Sequence, residues 1–120
     1  MIDGAPIIAI ATGLAKGSSN AKTGAMIQTW IIREDVSPLV AANTGQDASI
    51  CGDCRHRGTI VDGKNVDRSC YVTLFQAPLN VWKTFHKGIY SAPEGTLSET
   101  FAGKQVRVGS YGDPAAVPIH

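Results

Sequence analysis

The sequence predicts an α/β fold: a small, partly parallel sheet with one long helix and a three-cysteine loop, in a single domain spanning residues 1–120. Three observations carry this expectation. Strand-like and helix-like segments alternate along the chain, the pattern that builds parallel sheets. Residues 77–90 bear the marks of an amphipathic helix. All three cysteines, Cys51, Cys54 and Cys70, fall within one stretch of twenty residues. With 43% hydrophobic and 18% charged residues, the composition is that of an ordinary globular chain. A chain of this length can bury roughly two thirds of its unfolded surface.

The first element is "PIIAIAT" (6–12), an apolar run of strand length. "GLAKGSSNAKTG" (13–24) is a loop, rich in Gly, Ser, Asn and Lys. "AMIQTWIIRED" (25–35) is a strand of β-branched and aromatic residues with a charged end. In "SPLVAANTGQ" (37–46), Ser37 is a helix N-cap, Pro38 the first helical residue and Gly45 the stop. Asp62-Gly63 between short β-prone pieces predicts a hairpin turn, which would bring the ends of the cysteine region back together. "CYVTLF" (70–75) follows as a strand or extended entry.

"APLNVWKTFHKGIY" (77–90) is the long helix, with Pro78 in its first turn, Leu79, Trp82 and Phe85 near one face, and Gly88 as its end. "SAPEGTLSETFAGK" (91–104) reads as a polar loop. The chain closes with a strand in "VRVGSY" and a helix start at Asp113-Pro114. A helix opening so near the end reads either as a short cap that docks on the fold or as the front part of a larger, barrel-like fold.

A net charge of +1 gives no field that points to nucleic acid or an anionic membrane. No apolar run approaches the ~20 residues needed to cross a bilayer, so no membrane partner is expected. The N-terminal segment lacks a basic start and is broken by Pro6 and Gly13, unlike a signal peptide. A cytoplasmic location is the expectation. There thiols stay reduced, and C-x-x-C reads as a metal or redox motif before it reads as a disulfide.

The C-x2-C-x15-C spacing brings two thiolates together locally, and the hairpin can deliver the third. A closed zinc site takes four ligands, with His56 as the fourth or His86 and His120 as substitutes. Three cysteines also suit an iron–sulfur cluster with one iron open to an outside ligand. The alternative is that the thiols are small hydrophobes, with at most an adventitious Cys51–Cys54 disulfide. Lys16, Lys22 and Thr23 offer the ingredients of a phosphate nest, though the segment does not match G-x4-G-K-[ST] and also suits a plain surface loop. Arg55 and Arg57, with Lys64, Arg68 and Lys83, form a candidate phosphate or polymer contact, offset by Asp53, Asp62 and Asp67. Nucleic acid thus stays open as a partner. An incomplete parallel sheet leaves an edge, so self-association is expected.

"NAKTG", "CGDCRHR", "CYV", "APLNVWKTF" and "VRVGSYGDPAAVP" together resemble a phage-associated family of longer, uncharacterised proteins, over about Gly13 to the last residue. The resemblance implies a phage-encoded protein acting in the host cell. A second resemblance is to the front of radical S-adenosylmethionine enzymes, which run strand, three-cysteine loop, helix and a strand ending in a Gly-Gly-Glu-Pro-like turn. It implies that Cys51, Cys54 and Cys70 hold a cluster, that Tyr71 is the adjacent aromatic, and that Asp113 and Tyr111 in "GSYGDPAAVP" touch S-adenosylmethionine. That family spaces its cysteines C-x3-C-x2-C, whereas fifteen residues precede the third one here. Asp113 also reads simply as an N-cap. Two functions follow: a three-cysteine metal or iron–sulfur protein related to a radical-type enzyme, or a non-catalytic, zinc-stapled accessory or inhibitor protein that binds a host or phage macromolecule.

Overall fold

The computed structural model describes residues 3–14, 26–90 and 95–118. Its main sheet has three strands: β1 (Ile7–Thr12), β2 (Ile27–Arg33) and β5 (Val106–Tyr111), in the order β1-β2-β5. β1 runs antiparallel to β2, pairing Ile7 with Arg33 and Thr12 with Gln28. β5 runs parallel to β2. The expected α/β class with a partly parallel sheet is what the chain forms. A separate hairpin joins β3 (Thr59–Val61) to β4 (Lys64–Val66).

β2 lies between two neighbours, and its residues Trp30, Ile31 and Ile32 are all buried. Around them gather Ile10, Ala42, Ile50, Leu74, Val81 and Tyr111, one core shared by sheet and helices. Trp30 keeps its indole N–H satisfied by donating to Thr12 Oγ1 at 2.9 Å. The β2–β5 pairing is irregular: Gln28 faces Arg107, but Trp30 faces Tyr111, so β5 carries extra residues. Gly109, at φ 69°, makes this bulge sterically possible. Thr29 Oγ1 accepts from Gly109 N–H at 3.0 Å and donates to Arg107 C=O at 3.3 Å, filling the gap in the ladder. The bulge leaves Ser110 and Tyr111 buried at the strand's end.

Helix α1 (Pro38–Thr44) begins and ends as its sequence predicts. Ser37 accepts from Val40 N–H, Pro38 opens the helix, and Gly45 caps it at φ 77°. A one-turn helix α2 (Ala48–Cys51) follows, and places Cys51 at its last position. Helix α3 (Ala77–His86) has Pro78 in its first turn and Lys83 and His86 in its last, where positive charge suits the helix dipole. It stops at His86 rather than running to residue 90, with Gly88 at φ 72° just beyond. Trp82 and Phe85 pack on the core from its margin and are half-buried.

Of the two forms expected for residues 70–75, a strand or an extended entry, no strand forms, and the segment runs into the turn that precedes α3. One local expectation is corrected. The stretch expected to be a polar loop holds helix α4 (Leu97–Phe101), launched by a capping box in which Thr96 and Glu99 satisfy each other's backbone N–H. The chain then passes through β5 into a short 3-10 turn at Pro114–Ala116. None of the helices is long and apolar enough to cross a membrane, among the described residues.

Candidate functional site: the cysteine loop and the cleft beside it

The loop that carries the cysteines is built around a buried carboxylate. The tight turn at Gly45 swings the chain from α1 into α2 and sinks Asp47 to 1% exposure. Arg57 donates to Asp47 Oδ1 from Nε at 3.0 Å and from a terminal nitrogen at 2.8 Å. Arg68 donates to Asp47 Oδ2 at 3.2 Å. A carboxylate this deep requires such partners, because an unpaired buried charge costs several kcal/mol. Burial opposes the charge on Arg57, but the hydrogen bond and charge of Asp47 outweigh it and hold the guanidinium above its ordinary range.

Arg57 does more than neutralise Asp47. It also donates to the carbonyls of Gly45 and Gly52, at 3.1 and 2.8 Å, tying together the start and end of α2. Its own carbonyl accepts from Asn65 at 2.9 Å and from Arg68 at 3.2 Å. Asn65 reaches on to the Ala42 carbonyl at 2.8 Å, which fastens the β3–β4 hairpin to α1. The hairpin turns at Asp62 (φ 50°) and Gly63 (φ 73°), the pair of left-handed residues that Asp-Gly predicts.

The three cysteines are borne on this frame. Cys54 N–H donates to Cys51 C=O at 3.2 Å, and Arg57 N–H to Cys54 C=O at 3.1 Å, so C-x-x-C forms one turn and runs into the next. The hairpin returns the chain, and the His56 carbonyl accepts from Ser69 N–H at 3.2 Å and Cys70 N–H at 3.0 Å. All three thiols are free: Cys54 is exposed, Cys51 and Cys70 half-buried. Burial first, then the charge of Asp47, pushes the Cys51 thiol up to about 12. The His56 ring engages Ser69 Oγ through Nδ1 at 2.8 Å. Among the described residues no three His, Cys, Asp or Glu side chains stand arranged to hold a metal ion. The backbone brings Cys70 beside His56, two residues past Cys54, but the thiol side chains form no ligand set among the described residues.

Tyr111 lies on the inner side of the same region. Asp113 N–H donates to the Ile50 carbonyl at 2.6 Å, which presses the end of β5 against α2. Cys51 packs on the core cluster that contains Tyr111. The tyrosine is 2% exposed and its hydroxyl has no hydrogen-bond partner. Burial, then the nearby charges of Cys51 and Asp47, raises its pKa.

A cleft of about 310 Å³ opens beside the cysteine turn, lined by Asp3, Ser49, Gly52, Asp53, Asp113 and Ala116 among others. Ser49 donates to Asp3 at 2.6 Å and accepts from the buried Arg33 at 3.0 Å. Asp3 is held below the usual carboxylate range, chiefly by that serine. Asp113 accepts from Ala115 N–H at 2.9 Å, as an N-cap does, and faces the cleft at the same time.

The remaining sequence-derived candidates scatter. Tyr71 is 79% exposed and its hydroxyl accepts from Arg107 at 3.3 Å. Arg55 is exposed, whereas Arg57 is occupied by Asp47 and two carbonyls. His86 sits on the solvent side of α3, with Nε2 at 2.8 Å from the Glu34 carbonyl and its ring 4.2 Å from that of Trp82. Lys16, Lys22, Thr23 and His120 lie outside the described residues. Asp47, the centre of the frame, was not singled out from sequence, because a single Asp near two Arg has no distinctive spacing.

No family model matches the chain, and neither the curated proteins nor the solved structures hold a match for it. Function therefore rests on the chemistry of the loop and cleft.

Proposed function

We propose that this is a non-catalytic accessory module, phage-encoded as its sequence landmarks suggest, whose cysteine loop takes up one zinc ion and whose hairpin binds a macromolecule of host or phage. One observation supports the reading. The Cys70 N–H donates to the carbonyl of His56, two residues past Cys54, across the closed 59–66 hairpin. Cys51, Cys54 and Cys70 would hold the ion, with His56 or solvent completing four ligands once its ring leaves Ser69. Thiolate ligation suits a soft or borderline cation and displaces the thiol protons, so uptake strengthens as pH rises. The face available to a partner is the hairpin, where Ile60, Val61 and Val66 are exposed. Its apolar character, with Asp62 and Asp67 close by, favours a protein over nucleic acid.

The test is the metal content of anaerobically purified protein. Colourless protein with one zinc per chain, lost in a Cys51→Ser/Cys54→Ser/Cys70→Ser variant, is the expected result. Protein without metal that also takes up none from solution overturns the reading. Brown protein with iron and sulfide turns it toward the cluster enzyme.

A second reading is favoured by the cleft. Asp113 and Asp53 line it next to the cysteine turn, where a ligand with a cationic amino group, such as S-adenosylmethionine, would meet carboxylates. β1 runs antiparallel to β2, whereas strand–helix barrels are all-parallel, which is why this reading stands second. Titrating S-adenosylmethionine into reconstituted wild type and Asp113→Asn tests it. Binding by wild type that the variant weakens supports the reading, and binding by neither removes it.

A further inference from the structure

We infer that β1 is a dimerisation strand, whose outer edge pairs antiparallel with β1 of a second copy about a two-fold axis at Ala9. The inference is independent of the zinc reading, because it rests on the sheet alone. β1 is an edge strand of the three-stranded sheet, paired on one side with β2. Its register decides which of its backbone groups point outward. Ile7 stands opposite Arg33 and Pro6 therefore opposite Glu34, and the Pro6 carbonyl accepts from Glu34 N–H at 3.1 Å. Hydrogen-bonded pairs alternate along an antiparallel ladder, so Ile8, Ile10 and Thr12 face β2. β2 alternates in step: its Ile27 N–H turns to the other side and donates to Gln105 C=O, beside β5, at 2.9 Å. The N–H and C=O groups of Ile7, Ala9 and Ala11 point away from the sheet, and they have no hydrogen-bond partner among the described residues.

The two edges of the sheet differ in how they are guarded. β5 carries the charged Arg107 and a bulge at Gly109, both of which discourage a further strand. β1 has neither: its residues IIAIAT hold no charge and no proline, and its register with β2 runs unbroken from Ile7 to Thr12. A second copy is the partner that this edge fits. Pairing about Ala9 sets that small residue against its own counterpart on the axis, and Ile7 against Ala11 on either side. Ile8 of one copy then lies across from Ile10 of the other. They share the face on which Ile8 meets Ile32 and Ile10 meets Trp30, so the apolar core continues through the axis. In the single chain Ala9 is exposed and Ile7 and Ile8 are half-buried, which leaves apolar area for the pairing to cover. A net charge of +1 sets little repulsion between copies.

The experiment is sedimentation velocity of the full chain from about 1 μM to about 1 mM, with amide hydrogen exchange read by NMR at both ends of that range. Wild type is expected to pass from monomer to dimer as its concentration rises. The amides of Ile7, Ala9 and Ala11 should gain protection with the dimer, while those of Ile8 and Ile10 are protected throughout. Ala9→Pro deletes an outward N–H and leaves the β1–β2 ladder intact, so it should weaken the dimer about tenfold or more. Ala9→Lys sets two like charges against each other on the axis and should also weaken it, which decides the matter if the proline variant does not fold. The control Val108→Lys, at an exposed position on the other edge strand, should dimerise as wild type does. A wild type that stays monomeric throughout overturns the inference. So does a dimer that Ala9→Lys leaves unchanged, one that Val108→Lys weakens equally, or one in which the Ile7, Ala9 and Ala11 amides stay unprotected.

Discussion

Asp47 illustrates how one residue fixes the geometry of many. Its two oxygens hold Arg57 and Arg68, whose guanidinium groups also donate to three backbone carbonyls, those of Gly45, Gly52 and Arg57. Asp47→Ala should therefore cost about 3–5 kcal/mol in urea unfolding, since it strands two guanidinium groups in a largely buried site. A loss below about 1 kcal/mol would show that the arginines simply turn to solvent. Asp35 acts more locally. The Arg33 guanidinium, itself 8% exposed, donates to both its oxygens and holds the carboxyl below the usual range. A lowered folded pKa stabilises above the ordinary carboxylate value, and that stability is lost as pH falls through the folded value. The difference in unfolding free energy between wild type and Asp35→Asn should thus be full at pH 7 and shrink below the ordinary value of 3.8. A difference independent of pH between 7 and 2 would refute the pairing.

At the level of elements, what could be foreseen was whatever local chemistry decides. Ser37, Pro38 and Gly45 bound α1 because capping needs only neighbours in sequence. Asp62-Gly63 makes its turn for the same reason. Helix α4 carries a local signal too, since Thr96 and Glu99 have the spacing of a capping box, but the polar residues around it also suit a loop. Thr96→Ala should cost about 1 kcal/mol by thermal or urea unfolding, while no change would mean that α4 is held by packing instead. The bulge in β5 had no such signal, because it depends on Thr29, some eighty positions away, reaching across to Gly109. The hairpin face gives a contrasting expectation. Val61 is 49% exposed, so Val61→Ser should leave stability within about 0.5 kcal/mol. A larger loss would make that face part of the core and not a binding surface.

For the molecule as a whole, the path of the cysteine region was partly legible. The Asp62-Gly63 hairpin signal was enough to bring the Cys70 backbone beside His56, two residues past Cys54. The side-chain directions were not, because they follow from packing against α2 and from the Asp47 frame, both assembled from distant residues. Zinc offers a test on this scale. A ligand that binds only the folded chain stabilises it by RT ln(1 + [L]/Kd), about 2.7 kcal/mol at a hundredfold excess over Kd. Zinc should raise the unfolding midpoint of wild type in proportion to the logarithm of its concentration. It should leave the variant lacking all three cysteines unmoved, and equal shifts in both proteins would place any bound zinc elsewhere.

The parallel pairing of β2 with β5 has a consequence for how the chain comes to be folded. β1 and β2 can meet early, since one connection joins them. β5 starts at Val106, so the other flank of β2 waits for the whole intervening chain, helices and cysteine loop included, before it is covered. Closing so long a loop is entropically uphill until the final contacts form, which slows folding. On the ribosome, Trp30, Ile31 and Ile32 would be made long before their last partner strand leaves the exit tunnel. During that interval β2 is the segment most open to mispairing with another nascent chain or capture by a chaperone.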